Sequence, residues 1–180
     1  MKNFNTAGAA AVLLLASTAA QAISVGGELG RQYTRAGIGL GTDSPGLGLS
    51  GTWVDNDKQG TVTGLGLDYR IPLGPVMVAA GGRALYTSPK FSEDGLVLAV
   101  GAGASFSFFP MFSLYGDYYY SPDSLSSGLK NYTEATAGLR FTPIMLTSVS
   151  LGYRYLMLEG RNGHSSRIAD GIYLGGSVHF

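Results

Sequence analysis

The chain has no cysteine, only two histidines and few charges of either sign. Each shortage excludes something. Without cysteine no disulfide can hold a domain together, and cysteine-ligated zinc sites are ruled out. Two histidines argue against a multi-histidine metal centre. Lys and Arg total 12 against 12 Asp and Glu, so no basic excess exists to neutralise nucleic-acid phosphates. Charged residues are 13% of the chain, where soluble domains carry about a quarter. Beyond residue 22 no apolar run approaches the ~20 residues of a spanning helix. P-loop, dinucleotide-binding and H-E-x-x-H patterns are absent.

What is present is an export signature followed by alternating strands. Lys2 supplies a basic start, Ala7 to Ala16 an apolar core, and Ala20-Gln21-Ala22 a small-residue cleavage site. Cleavage after Ala22 leaves one domain, residues 23–180. Glycine is plentiful, 28 residues, together with 11 Tyr and 8 Phe. An export signal, few charges, much Gly and Tyr and no spanning helix suggest a transmembrane antiparallel up-and-down β-barrel of a bacterial outer membrane.

Period-two alternation and turn signals place strands near 23–32, 35–41, 46–54, 61–71, 76–86, 96–109, 112–120, 132–142, 148–158 and 171–180. That makes ten strands. The first connection, around Gln32 to Thr34, is the weakest boundary, and eight strands is the alternative. Proline marks four tight connections, Thr42–Pro45, Pro72–Pro75, Phe109–Met111 and Pro143–Leu146. Between them fall longer polar connections, Asp55–Gly60, Thr87–Gly95, Ser121–Asn131 and Gly160–Asp170. Short periplasmic turns and longer outer loops alternate in this way in outer-membrane barrels.

The strand faces separate by chemistry. In 61–71, Thr63, Leu65, Leu67, Tyr69 and Ile71 oppose Val62, Gly64, Gly66, Asp68 and Arg70. In 148–158, Val149, Leu151, Tyr153, Tyr155 and Met157 oppose Ser150, Gly152 and Arg154. The charges Glu28, Asp68, Arg70, Arg83, Asp117, Glu134, Arg140 and Arg154 all fall on the Gly/Ser faces. A Lys or Arg on the lipid face at mid-membrane costs about 2–4 kcal/mol, which accounts for the segregation. A face of Gly and Ser with one charge per strand makes a poor soluble coat but fits a narrow lumen. Aromatic residues near the strand ends, including Tyr69, Tyr86, Tyr118, Tyr153, Phe108 and Phe112, suit interfacial girdles as well as ordinary strand propensity. The last strand alternates Ile172, Leu174, Val178 and Phe180 and ends on Phe, the signature read by barrel-assembly machinery. A periplasmic chaperone and that machinery are the implied partners during biogenesis.

With a signal ending near Ala22, the start Ile23-Ser24-Val25-Gly26-Gly27-Glu28 and the end Gly175-Gly176-Ser177-Val178-His179-Phe180, the chain resembles the YfaZ family. That resemblance covers the whole length. It implies a small outer-membrane barrel and assigns no activity or site residues.

Two further features carry possible chemistry. His164-Ser165-Ser166, with Asp170 and Glu159 nearby, matches the letters of a Ser–His–acid hydrolase, but sits in a loop with no acid after Asp170. A polar loop chosen for solubility is the plainer reading. Arg161, His164 and Arg167 could meet lipopolysaccharide phosphates, or be solvated surface charges. In the lumen, Glu28, Asp117 and Arg154 are expected near mid-height. Arg83 and Glu134 are expected nearer the outer end, and Asp68, Arg70 and Arg140 nearer the periplasm. Mixed signs at several heights favour ion pairs that plug the interior, where a selective pore favours rings of one sign. The expected function is a structural or surface-interaction barrel without cofactors. A narrow channel for small polar solutes, lined by Arg83, Asp117 and Arg154, is the alternative, and an outer-surface lipid hydrolase the third reading.

Overall fold

A computed structural model describes residues 23–90, 93–161 and 163–180. The cleavage site expected after Ala22 lies outside these residues, as does Asn162. Ten strands run in chain order: β1 (Ile23–Gly30), β2 (Thr34–Leu40), β3 (Gly46–Asn56), β4 (Gly60–Leu73), β5 (Val76–Pro89), β6 (Gly95–Phe109), β7 (Phe112–Ser121), β8 (Leu129–Ile144), β9 (Thr147–Gly160) and β10 (Ser165–His179). Each pairs antiparallel with the next, and β1 pairs with β10, closing the barrel. The ten-strand count read from the alternation is borne out.

The strand bounds differ from expectation at one end. Pairing continues into segments read as polar loops: Asp55 faces Thr61, Thr61 faces Ser88, and Ser165 faces Glu159. Their backbone groups are satisfied by the ladder, so polar side chains alone did not end the strands. The connections at this end shrink to 31–33, 57–59, 90–94, 122–128 and 161–164. At the other end, 41–45, 74–75, 110–111 and 145–146 make tight turns. Gly74 (φ 65°) holds a left-handed conformation at one of these turns. The start of β1 and the C-terminal Phe180 lie at this end too, where Ile23 and Phe180 exchange backbone hydrogen bonds of 3.1 and 2.8 Å. Tight turns mark the periplasmic end of such a barrel.

The outer face is apolar. Leu65 is 72% exposed and Ile172 68%, and Leu29, Ile38, Leu98, Val100, Leu114, Leu151 and Leu174 also point outward. Contiguous apolar surface of this extent requires lipid as solvent. Tyr86 and Tyr118 lie outward toward one rim and Phe108, Phe109 and Phe112 toward the other, while Tyr153 lies outward at mid-strand.

Inside, the barrel has two different halves. Toward the outer end, Val54, Val62, Leu85, Val97, Leu129, Tyr132, Leu156, Leu158 and Ile168 are all at most 3% exposed and form one cluster. Toward the periplasm lies a cavity of about 610 Å³ lined largely by Gly, Ser and Thr. The inward face is therefore not Gly, Ser and charge throughout. Leu85 follows Arg83, and Leu156 and Leu158 follow Arg154, in the same inward phase, while Val62 and Val97 share the inward phase of the glycines on β4 and β6.

The short first hairpin explains the difference. β1 and β2 have 8 and 7 residues, while β8 has 16. The last β1–β10 pair is Gly30 with Tyr173, and β10 continues outward beyond it to Ser165. There a bulge between Arg167 and Ala169 turns two consecutive residues, Ile168 and Ala169, into the interior. Asn56 at the end of β3 donates its side-chain amide to the Ile168 carbonyl at 2.9 Å, and Tyr33 in the hairpin turn is buried alongside. β1 therefore stops short of the outer reach of β10, and Ile168, Ala169, Asn56 and Tyr33 fill the interior beside the gap. Ile168→Ala should cost about 2–5 kcal/mol, since the bulge fixes the backbone and limits collapse around the lost atoms. Urea unfolding in lipid vesicles would measure it, and a loss below about 1 kcal/mol would show that the bulge site is loosely packed.

Candidate functional site

Between the two halves the inward charges meet in one layer. Alternation along β1 turns Ser24, Gly26 and Glu28 inward, and the register sets Arg35 of β2 directly opposite Glu28. Glu28 Oε1 accepts from Arg35 Nη1 at 2.9 Å and from Arg154 Nη2 at 2.9 Å, while Oε2 accepts from Arg154 Nε at 3.0 Å. The fork of Arg154 therefore grips Glu28 with two donors and offers Nη1 to Glu134 on β8. Glu134 also accepts from Arg83 of β5 and, at 2.7 Å, from the Tyr132 hydroxyl. The result is a chain, Arg35–Glu28–Arg154–Glu134–Arg83, in which every inner member has an opposite charge on both sides. Arg154, Glu134 and Asp68 are each 5% exposed.

Aromatic rings tie this layer to the wall. The Arg83 guanidinium lies 3.5 Å from the Tyr119 ring centroid, a cation–π contact. The Tyr119 hydroxyl donates to Asp68 at 2.5 Å. Asp68 lies 3.6 Å from Arg70, whose Nη1 donates to the Gly41 carbonyl in a periplasmic turn at 3.1 Å. Tyr115 and Tyr173 share a hydroxyl hydrogen bond across the lumen. Asp117 lines the cavity below, and a Cβ on Gly103 opposite would fall 2.1 Å from its carboxylate oxygen. Glycine is the side chain that leaves this carboxylate room.

The structure brings Glu28, Arg83, Glu134 and Arg154 together at one level, rather than spreading them over two heights. Arg140 stands apart at the periplasmic mouth, 3.2 Å from Asp43, which also meets His179. Sequence reasoning missed Arg35, Asp43, His179 and Ser177. Arg35 was legible as the residue facing Glu28 across the short hairpin. Asp43 sits in a turn, where alternation assigns no face.

At the outer rim, Arg161 pairs with Asp123 at 2.6 Å and Arg167 with Asp170 at 3.2 Å. The His164 carbonyl accepts from the Gly160 N–H at 2.8 Å, closing the last outer turn. Ser165 and Ser166 belong to β10, not to a loop. Ser166 is 1% exposed and faces inward, while Asp170 faces outward. Ser166 and Asp170 therefore lie on opposite faces of β10. Ile172, Leu174, Val178 and Phe180 all face outward on the last strand. Among the described residues no three His, Asp or Glu side chains converge as metal ligands.

Asp94, in the outer connection 90–94, accepts from Tyr86 at 2.7 Å and Ser88 at 2.8 Å, and these bonds hold its carboxyl below the usual range. A depressed pKa means the bonds are present above the ordinary Asp value and are lost as pH falls through the folded value. Carbon NMR should therefore give Asp94 a lower midpoint than an unstructured Asp, rising to the ordinary value in a Tyr86→Phe, Ser88→Ala variant. An unchanged midpoint would mean the two hydroxyls do not hold the carboxylate in solution.

A closed antiparallel barrel with a lipid-facing exterior and ion pairs in its lumen defines an integral outer-membrane β-barrel protein. The family described as YfaZ precursor matches residues 1–180, and the chain belongs to that family. It is 45% identical over 181 residues to the outer membrane protein YfaZ of Escherichia coli (strain K12), covering 100% of both chains. Among solved structures it resembles the KdgM porin in complex with disordered oligogalacturonate, at TM-score 0.49 and 12% identity over 88% of this chain and 99% of that one. The NanC porin is similar at TM-score 0.49 and 11% identity, covering 89% and 100%.

Proposed function

We propose that this protein is a non-conducting outer-membrane barrel with a structural and surface-interaction role. The observation that carries this reading is the solid outer half, where inward Val, Leu, Ile and Tyr side chains are almost wholly buried. An ion or sugar crossing the barrel would have to part both that core and the arginine–carboxylate chain beneath it. The charges below the core pair with one another across the lumen, and a permeation path needs groups free to exchange with the solute. The outer surface is then the face that meets lipopolysaccharide, through Arg161, His164 and Arg167. The Arg161 and Arg167 pairs are exposed, so exchanging a carboxylate for a lipid phosphate costs little. Biogenesis uses a periplasmic chaperone and the barrel-assembly complex, with Ile172, Leu174, Val178 and Phe180 as the recognised face.

A narrow channel is the second reading. It draws on the 610 Å³ cavity and on Arg83, Asp117 and Arg154, which line it. Planar-bilayer recording of the folded protein separates the two. Silence is expected; discrete salt-dependent steps that change in Arg83→Gln or Arg154→Gln would overturn the closed reading.

A further inference from the structure

The periplasmic mouth carries an arrangement that the closed barrel does not require. Ser177 and His179 are two residues apart on β10, so both point inward at the cavity rim. The Ser177 Oγ lies 3.1 Å from His179 Nε2. The other ring nitrogen, Nδ1, lies 3.1 Å from Asp43 Oδ2. Asp43 comes from the turn between β2 and β3, and its second oxygen is held by Arg140 at 3.2 Å. A hydroxyl on one imidazole nitrogen and a carboxylate on the other is the connectivity by which histidine takes a proton from serine. The carboxylate fixes the tautomer with hydrogen on Nδ1, which leaves Nε2 as the acceptor. A fourth group completes the set: Ser148 Oγ lies 2.6 Å from Ser177 Oγ. With the Ser177 hydroxyl donated to His179, Ser148 donates to Ser177 and stands beside any oxyanion formed there.

We propose that Ser177, His179 and Asp43 form a serine-hydrolase site facing the periplasm, acting on short-chain carboxylic esters of polar hydroxyl compounds. Ser177 Oγ attacks the ester carbonyl as its proton passes to His179 Nε2. The tetrahedral intermediate collapses, the C–O bond to the alcohol breaks, and His179 returns the proton to the departing alkoxide. Water, deprotonated by His179, then attacks the acyl-serine; the acyl C–Oγ bond breaks, His179 returns the proton to Ser177 Oγ, and the carboxylic acid leaves. Asp43 is a positioning residue throughout. The lining sets the substrate class. Val76, Met77 and Met145 offer a small apolar patch at the mouth for a short acyl chain, while Ser105, Ser113 and Ser150 can hydrogen-bond a polyol. The site opens away from the apolar outer core, so it does not depend on whether the barrel conducts.

The test is active-site labelling of the folded full-length mature protein in detergent micelles with a fluorophosphonate, mapped by peptide mass spectrometry, alongside p-nitrophenyl acetate turnover. One adduct per chain at Ser177 is expected. Both signals should disappear in Ser177→Ala and fall at least tenfold in His179→Ala and Asp43→Asn, with heat-modifiable gel mobility unchanged. An unlabelled Ser177 in folded wild-type protein would overturn the proposal without need of any variant. So would equal labelling in His179→Ala, which would mean that histidine does not activate the serine. In either case the Asp43–His179 contact would be a latch between the first turn and the last strand.

Discussion

Replacing Arg154 by leucine should cost the barrel about 3–5 kcal/mol, because it leaves two carboxylates buried without their shared cation. Arg154 is the central member of the chain, with Glu28 on one side and Glu134 on the other. Arg35 and Arg83 remain in the variant, each holding one carboxylate from its far side. The loss comes from the near side, where desolvated oxygens would face an apolar side chain. Neutralising the acids in the same background, Arg154→Leu with Glu28→Gln and Glu134→Gln, should recover most of the stability, since removing a whole buried network is far milder than removing one partner. The temperature at which heat-modifiable mobility is lost reads both effects. A single variant as heat-resistant as wild type would show that water reaches the layer and screens it.

Emptying the outer core should turn a silent barrel into a conducting one. Tyr132, Leu156 and Leu158 pack in the apolar outer core, and Tyr132 also donates to Glu134. Cutting all three to glycine removes three of the largest fully buried side chains between the inner cavity and the outer face. Discrete current steps are then expected, against the silence proposed for the wild-type protein. If the triple variant folds and stays silent, the arginine–carboxylate chain is itself the barrier, and adding Arg154→Gln should open it. If wild-type protein already conducts, the core is not a seal.

The parts of this structure legible in the sequence were those set by local period. The ten strands, their outward Leu, Ile, Val and Tyr faces and the inward Glu28, Asp68, Arg83 and Arg154 follow from period-two alternation, which needs no knowledge of partners. The partners themselves were less legible. That Arg83 and Glu134 share a level with Glu28 and Arg154 depends on registers accumulated around the whole barrel, where small errors at each turn add up. The apolar outer core is present in the sequence as Leu85, Val97 and Leu156 in the inward phase. Nothing local says that these positions pack against one another, which depends on the short first hairpin and on the bulge at Ile168. Ser177, His179 and Asp43 were hidden for a different reason: the acid lies in the first periplasmic turn and the other two at the end of the chain, and only closure between β1 and β10 brings them together.

The short hairpin has a consequence for the surrounding lipid. Strands crossing a bilayer at the usual tilt need about 9–11 residues, and β1 and β2 have 8 and 7. On that flank the protein's hydrophobic belt is shallower than on the flank formed by β8 to β10. Lipids there must compress or tilt to match it, at fractions of a kcal/mol per ångström of mismatch. The membrane around this barrel is therefore uneven, thinned on one side and relaxed on the other. That gives a small, nearly neutral protein a preferred direction in the plane of the membrane.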